Sequence, residues 1–177
     1  VAATIVVAER NGTLAGSTET LDVANVNFGS VDQAAIVPSA APITAQTDGH
    51  SFEKWLRLYA SALGGSTLID NVKIWLSSLG GGWKTGEGMS CNLRTTGYVN
   101  ASYSVGGPVQ TDSSVATLAM PESEPSGANL GIGGLLSGSI TGVPAYTDYA
   151  VLQMDVSSAT PAGAVNTKVL TFQWDEQ

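Results

Sequence analysis

The stretch His50–Gly65, HSFEKWLRLYASALGG, decides the fold because its apolar residues fit two different periods. Phe52, Trp55, Tyr59 and Leu63 fall roughly one helical turn apart, whereas Leu56, Leu58, Ala60 and Ala62 alternate as in a half-buried strand. A helix here would take Asp48 or Ser51 as its cap and Gly64 as its stop. Against it, Leu56 and Leu58 make the helical stripe wide. A few residues on, NVKIWLSS from Asn71 repeats the Lys, Trp and Leu texture with Val72, Ile74 and Leu76 alternating against Lys73 and Trp75. Both stretches therefore read as strands, with Leu56 and Leu58 turned toward a core.

Similar short runs recur on either side. They are TIVVAE from Thr4, LDVANVNF from Leu21, MSCNLRT from Met89, YVNASYSV from Tyr98, VATLAM from Val115, YAVLQMDV from Tyr149 and KVLTFQW from Lys168. Between them, GGGW at Gly80–Trp83, VGGP at Val105–Pro108, PESEPSG from Pro121 and GIGG from Gly131 interrupt any helical pattern before three turns. About nine strands at this spacing predict an all-β fold, an antiparallel β-sandwich of Ig-like or jelly-roll-like type. A chain of 177 residues fits one domain, 1–177, and at this size roughly 70% of the unfolded surface can be buried.

Charge excludes some functions. The net charge is −8 and the pI about 4.3, so a phosphate backbone is repelled and nucleic acid is not expected as a partner. No Lys or Arg occurs from Thr95 to Thr167, a segment that carries Asp112, Glu122, Glu124, Asp148 and Asp155 and reads as a solvated acidic face. No run of about 18 apolar residues offers a membrane span, and VAATIVVAERNG lacks a secretory n-region, so the chain reads as made and kept in the cytosol. Cys91, the one cysteine, cannot form an intrachain disulfide and reads as a buried thiol.

A search for chemistry ends without a catalytic residue. His50, the one histidine, has Asp48 and Ser51 beside it, but adjacency in a turn does not assemble a triad. One His and one Cys cannot build a usual zinc site, and neither an EF-hand nor a phosphate-binding loop is present, so no metal or cofactor is expected. A calcium site drawn from distant loop carboxylates stays open, with no residues nominated. Glu122 and Glu124 are neighbours in one proline-flanked loop rather than carboxyls facing across a cleft. Trp55 and Trp174 read as structural. Trp75 points opposite to Val72, Ile74 and Leu76, while Trp83, after three glycines, is the tryptophan expected at the surface and a candidate interface anchor.

FGSVD at Phe28, PIT at Pro42, SFEKWLRL at Ser51, NVKIWLSS at Asn71, TPAG at Thr160 and TFQWDE at Thr171 follow in an order that resembles small Ig-like β-sandwich virion proteins of tailed bacteriophages. Some of these are head decoration or other accessory structural proteins. The resemblance covers 21–78 and about 160–177; the middle of the chain matches nothing, and loops there would carry any specific recognition. It implies a non-enzymatic structural protein, foremost an exterior capsid decoration protein that stabilises the shell, made in the host cytoplasm and carried on the virion. Its partners would be capsid or tail subunits, with self-association open. Residues 1–20 would serve as a partner-contacting strand or arm, with Ile5 and Val7 as further interface candidates. A tail-associated role and a carbohydrate-binding sandwich are the alternatives.

Overall fold

A computed structural model describes residues 1–44, 49–101, 118–163 and 166–177. In these the chain forms ten strands: β1 (Thr4–Asn11), β2 (Thr18–Leu21), β3 (Gly49–His50), β4 (Lys54–Ala62), β5 (Ile69–Ser78), β6 (Glu87–Thr95), β7 (Leu118–Ala119), β8 (Ala145–Tyr146), β9 (Tyr149–Val156) and β10 (Val169–Glu176). The helical content among the described residues is one 3-10 turn, Leu14–Gly16. Every pairing is antiparallel. Eight strands form one sheet along the path β2-β1-β4-β9-β6-β7, with β3 on β9 and β8 on β4, and β10 pairs β5 in a second sheet of two.

The alternation in β4 does what the sequence predicts. Leu56 and Leu58 are buried together with Val72, Ile74 and Leu76 of β5, Met89, Cys91 and Leu93 of β6, and Ala150 and Leu152 of β9. That cluster joins the two sheets face to face and makes the fold a sandwich. Burying each leucine contributes about 1.5–3 kcal/mol. Two strands cannot cover the inner face of eight, and the remainder is closed by irregular segments whose Val26, Phe28, Met120, Leu130 and Ile132 pack on the same core.

Three expected strands differ. LDVANVNF is not a strand: β2 ends at Leu21, Asp22 takes φ 58, and the chain then drapes over the core, where Val26 and Phe28 satisfy their apolar character by packing rather than by a ladder. Tyr98–Ala101 is irregular and the rest of YVNASYSV lies outside the described residues. Of VATLAM, Leu118–Ala119 is a strand and 115–117 lie outside the described residues. The turn after β5 depends on its glycines: Gly80, Gly81 and Gly82 all have positive φ, a region L side chains rarely adopt, and a Cβ on Gly80 would collide with the carbonyl of Thr167.

The small sheet has one closed edge and one open edge. On the β5 side, Asn129 Oδ1 accepts from the Ile74 N–H at 2.8 Å and Asn129 Nδ2 donates to the Ile74 carbonyl at 2.9 Å. The Leu76 N–H donates to Pro121, and Asn129 and Leu130 N–H donate to Val72. No such cover lies along β10 among the described residues.

Candidate interaction surface

Opposite phases of β4 build two different faces. While Leu56 and Leu58 enter the core, Trp55, Arg57 and Tyr59 stand on the outer face of the large sheet. Trp55 is sealed there by Tyr98 and Tyr149, edge-on with ring centroids at 5.1 and 5.5 Å, and by Val151. The Tyr98 hydroxyl donates to the Gly12 carbonyl, Arg10 lies over its ring, and burial pushes its phenol up to about 12.

Toward the exposed end, the Arg57 guanidinium lies 3.5 Å from the centre of the Tyr146 ring and 4.7 Å from that of Tyr149. It forms an ion pair with Glu19 at 2.6 Å, and the Tyr146 hydroxyl donates to the other oxygen of Glu19. Register brings these groups together: Tyr59 opposes Tyr146 across β4 and β8, Arg57 opposes Ala8 across β4 and β1, and Arg10 opposes Glu19 across β1 and β2. Tyr59 and Tyr146 sit 4.9 Å apart and are half-buried. The result is a platform of two tyrosines and an arginine whose rotamers are already held by stacking and an ion pair. Arg and Tyr are types enriched where binding energy concentrates, and little side-chain freedom remains to be lost on contact.

The residues singled out from sequence are placed differently. Trp83 is half-buried rather than free at the surface: its indole N–H donates to Glu122 at 2.6 Å, Lys168 lies 4.6 Å over its ring, and it packs against the core. The three preceding glycines let the chain fold back over the sandwich instead of projecting. Ile5 and Val7 oppose Ala60 and Leu58, share their inward face and pack on the core, so a partner meeting β1 side-on would not touch these side chains. Of the strand or arm expected in 1–20, the chain forms a strand, β1, within the large sheet. Ala8–Asn11 are paired on both sides, by β2 and β4, and β1 has ladder partners along its length on β4. Trp75 is buried opposite Thr171.

His50 does not stand alone in a turn. Its Nδ1 is 2.7 Å from Asp155 Oδ1, and Ser90 Oγ donates to Asp155 Oδ2 at 2.5 Å. The three residue types of a hydrolytic triad meet, but in the wrong order: the carboxylate lies between the hydroxyl and the imidazole. A triad needs the imidazole on the hydroxyl so that it takes the proton during attack. Here the Ser90 hydroxyl is spent on a carboxylate, and the trio fastens β3, β6 and β9.

The acidic segment is a solvated face only in part: Glu122 and Glu124 are exposed, Asp155 is half-buried and Asp148 is buried, and each has a partner. Glu122 accepts from Trp83, Glu124 pairs with Lys73 at 2.8 Å, and Asp155 joins His50 and Ser90. Asp148 is buried and accepts from the Gly134 N–H, with Gly131 so close that a Cβ there would strike its carboxylate. GIGG is thus a loop wrapped on a carboxylate. Asp112 lies outside the described residues. The missing countercharges come from the earlier half of the chain and from backbone N–H groups, which sequence proximity could not reveal.

A groove of about 440 Å³ is lined by residues that include Phe28, Pro38, Pro42, Ile43, Val156 and Pro161. Its lining is mostly apolar, with Ser39, Glu87 and Thr160 as its polar side chains. Among the described residues, no three His, Cys, Asp or Glu side chains cluster as metal ligands, and no helix is long and apolar enough to cross a membrane. Compared with known protein families, curated proteins and solved structures, the chain matches none.

Proposed function

We propose that this chain is a non-enzymatic structural protein of a tailed-phage virion, mounted on the exterior as a head decoration protein that bridges shell subunits. The observation that carries the reading is the Tyr59–Tyr146–Arg57 platform: a preorganised aromatic surface on the broad outer face of the large sheet, held by an arginine already paired with Glu19 and suited to meeting another protein. The order of FGSVD, PIT, SFEKWLRL, NVKIWLSS and TFQWDE, which resembles such virion proteins, supplies the setting. Charge supports the exterior: the chain carries −8, and Lys54, Arg57 and Lys73 are each committed to a carboxylate of the same chain, which leaves them unsuited to phosphate. The test is to strip the protein from particles and add it back as wild type or as Tyr59→Ser/Tyr146→Ser. Wild type restores heat resistance of the shell and the double variant does not, although it folds. Restoration by wild type and double variant alike, or by neither, contradicts the reading.

A carbohydrate-binding role is the second reading, favoured by the same pair of tyrosine rings flanked by Glu19 and Arg57. Glycan titration followed by tyrosine-ring chemical shifts separates the two: shifts confined to Tyr59 and Tyr146 on adding sugars support binding, and unchanged shifts remove it.

A further inference from the structure

We infer that two copies of this chain join through the open edge of β10, in an antiparallel pairing about a two-fold axis at Phe172 that makes one four-stranded sheet, β5-β10-β10-β5. The inference begins with where backbone groups point. Because the N–H and C=O of Ile74 bond Asn129, and those of Val72 and Leu76 that bond do so toward 121–130, these residues face away from β10. The groups of Lys73 and Trp75 therefore face it, and their partners Gln173 and Thr171 spend their own N–H and C=O on β5. By alternation the N–H and C=O of Leu170, Phe172 and Trp174 point outward, where no described residue meets them.

Natural edge strands are protected by prolines, bulges, inward charges or shortness. β10 has none of these between Val169 and Trp174. It is eight residues long, carries no proline, and its charges lie at its end, Asp175 and Glu176. Both register shifts of the β5–β10 ladder place the extra residue in β5: Ser77 at one, and the Asn71–Val72 pair facing Trp174 at the other. β10 itself keeps an unbroken period of two. Its inward side chains Leu170, Phe172 and Trp174 pack on the core yet stay half-buried, as the last strand of a sheet leaves them.

The edge is complementary to itself. Centred on Phe172, antiparallel pairing sets Leu170 opposite the partner's Trp174, Phe172 opposite the partner's Phe172 and Thr171 opposite the partner's Gln173. Lys168, just before β10, whose ammonium donates to the Gly82 and Asn166 carbonyls, falls opposite the partner's Glu176, so the cross-axis pair adds to hydrogen bonds each group already makes within its own chain. Each outward N–H and C=O of Leu170, Phe172 and Trp174 then finds a carbonyl or amide, apolar side chains extend the core across the axis, and a basic end meets an acidic end twice. A parallel arrangement would set like charges together and leave the ends unmatched. The strand first expected to add to a neighbour, β1, is the weaker candidate because β2 already occupies the edge of Ala8–Asn11.

The experiment combines sedimentation equilibrium with amide exchange on the full chain. The expected result is a mass twice 18.1 kDa, with the Leu170, Phe172 and Trp174 amides protected like those of Thr171 and Gln173. Lys168→Glu sets two glutamates against two glutamates and weakens the dimer by about tenfold in Kd. Lys168→Glu/Glu176→Lys restores it, which separates pairing from any local harm done by either change. A species of 18.1 kDa with those three amides exchanging freely overturns the inference, as does a dimer in which they exchange freely or one that charge reversal leaves unchanged. The inference does not rest on the virion reading, and its failure would leave that reading standing.

Discussion

The carboxylate of Glu9 meets the ammonium of Lys54 at 2.7 Å with both side chains wholly shielded from water. Lys54 also donates to the Gln33 carbonyl, and Asn11 Nδ2 bridges Glu9 to Asp32, so the pair ties β1 and β4 to the segment around Asp32. Among the described residues Glu9 Oε2 has no hydrogen-bond partner. Such a pair is costly to break and cheap to replace. Glu9→Gln or Lys54→Met alone should cost about 3–5 kcal/mol in urea denaturation, because each strands a buried polar partner, whereas Glu9→Leu/Lys54→Met together should recover most of the loss. Equal losses in the singles and the double would show that the pair itself is stabilising.

Two glutamates should titrate on opposite sides of the ordinary 4.5. Burial raises Glu9, opposed in part by Lys54. The folded state therefore holds its proton longer, and its contribution falls as pH rises from 4.5 through the folded value. Glu176 is held below 4.5, first by the Ala3 N–H and then by the Trp174 indole. Its contribution is present above 4.5 and is lost as pH falls through the folded value. Carboxyl carbon shifts followed by NMR through acid pH check the order, Glu9 above Glu176; the reverse order would refute both assignments.

Leu58 tests the phase of β4. Leu58→Ala should cost about 2–5 kcal/mol and Leu58→Asp should abolish the cooperative transition, because the side chain has no exit from the core cluster. A folded Leu58→Asp protein with native chemical shifts would mean that the inner and outer faces are reversed.

Burial also pushes the Cys91 thiol up to about 12, within β6 at the centre of the core. The native protein should therefore resist a thiol reagent at mildly alkaline pH and react fully once denatured, at the rate of unfolding. Prompt stoichiometric labelling of the native state would contradict its placement.

Legibility followed burial on alternating faces. β4 and β6 carry an alternating inward phase, β9 is buried on both faces and reads as a near-continuous apolar run, and YAVLQMDV coincides with β9 at both ends. β2, β3 and β8 were not visible, since they are two to four residues long and exist through register on stronger neighbours rather than through their own apolar content. LDVANVNF misleads because Val26 and Phe28 are apolar for packing under a drape, not in a sheet. The tyrosine platform escaped for a different reason: Tyr59 and Tyr146 are far apart in the chain and meet only through the β4–β8 register. One signal pointed to half of it, since Arg57 and Tyr59 occupy the phase opposite Leu56 and Leu58 and were bound to face outward.

The measurement that bears most directly on the proposed virion role is labelling of intact tailed-phage particles, grown in cells that express this chain, with antibody raised against the folded protein. Decoration of the head exterior on unbroken particles is the result predicted. Label that appears only after particles are opened, or never appears on particles at all, would contradict it.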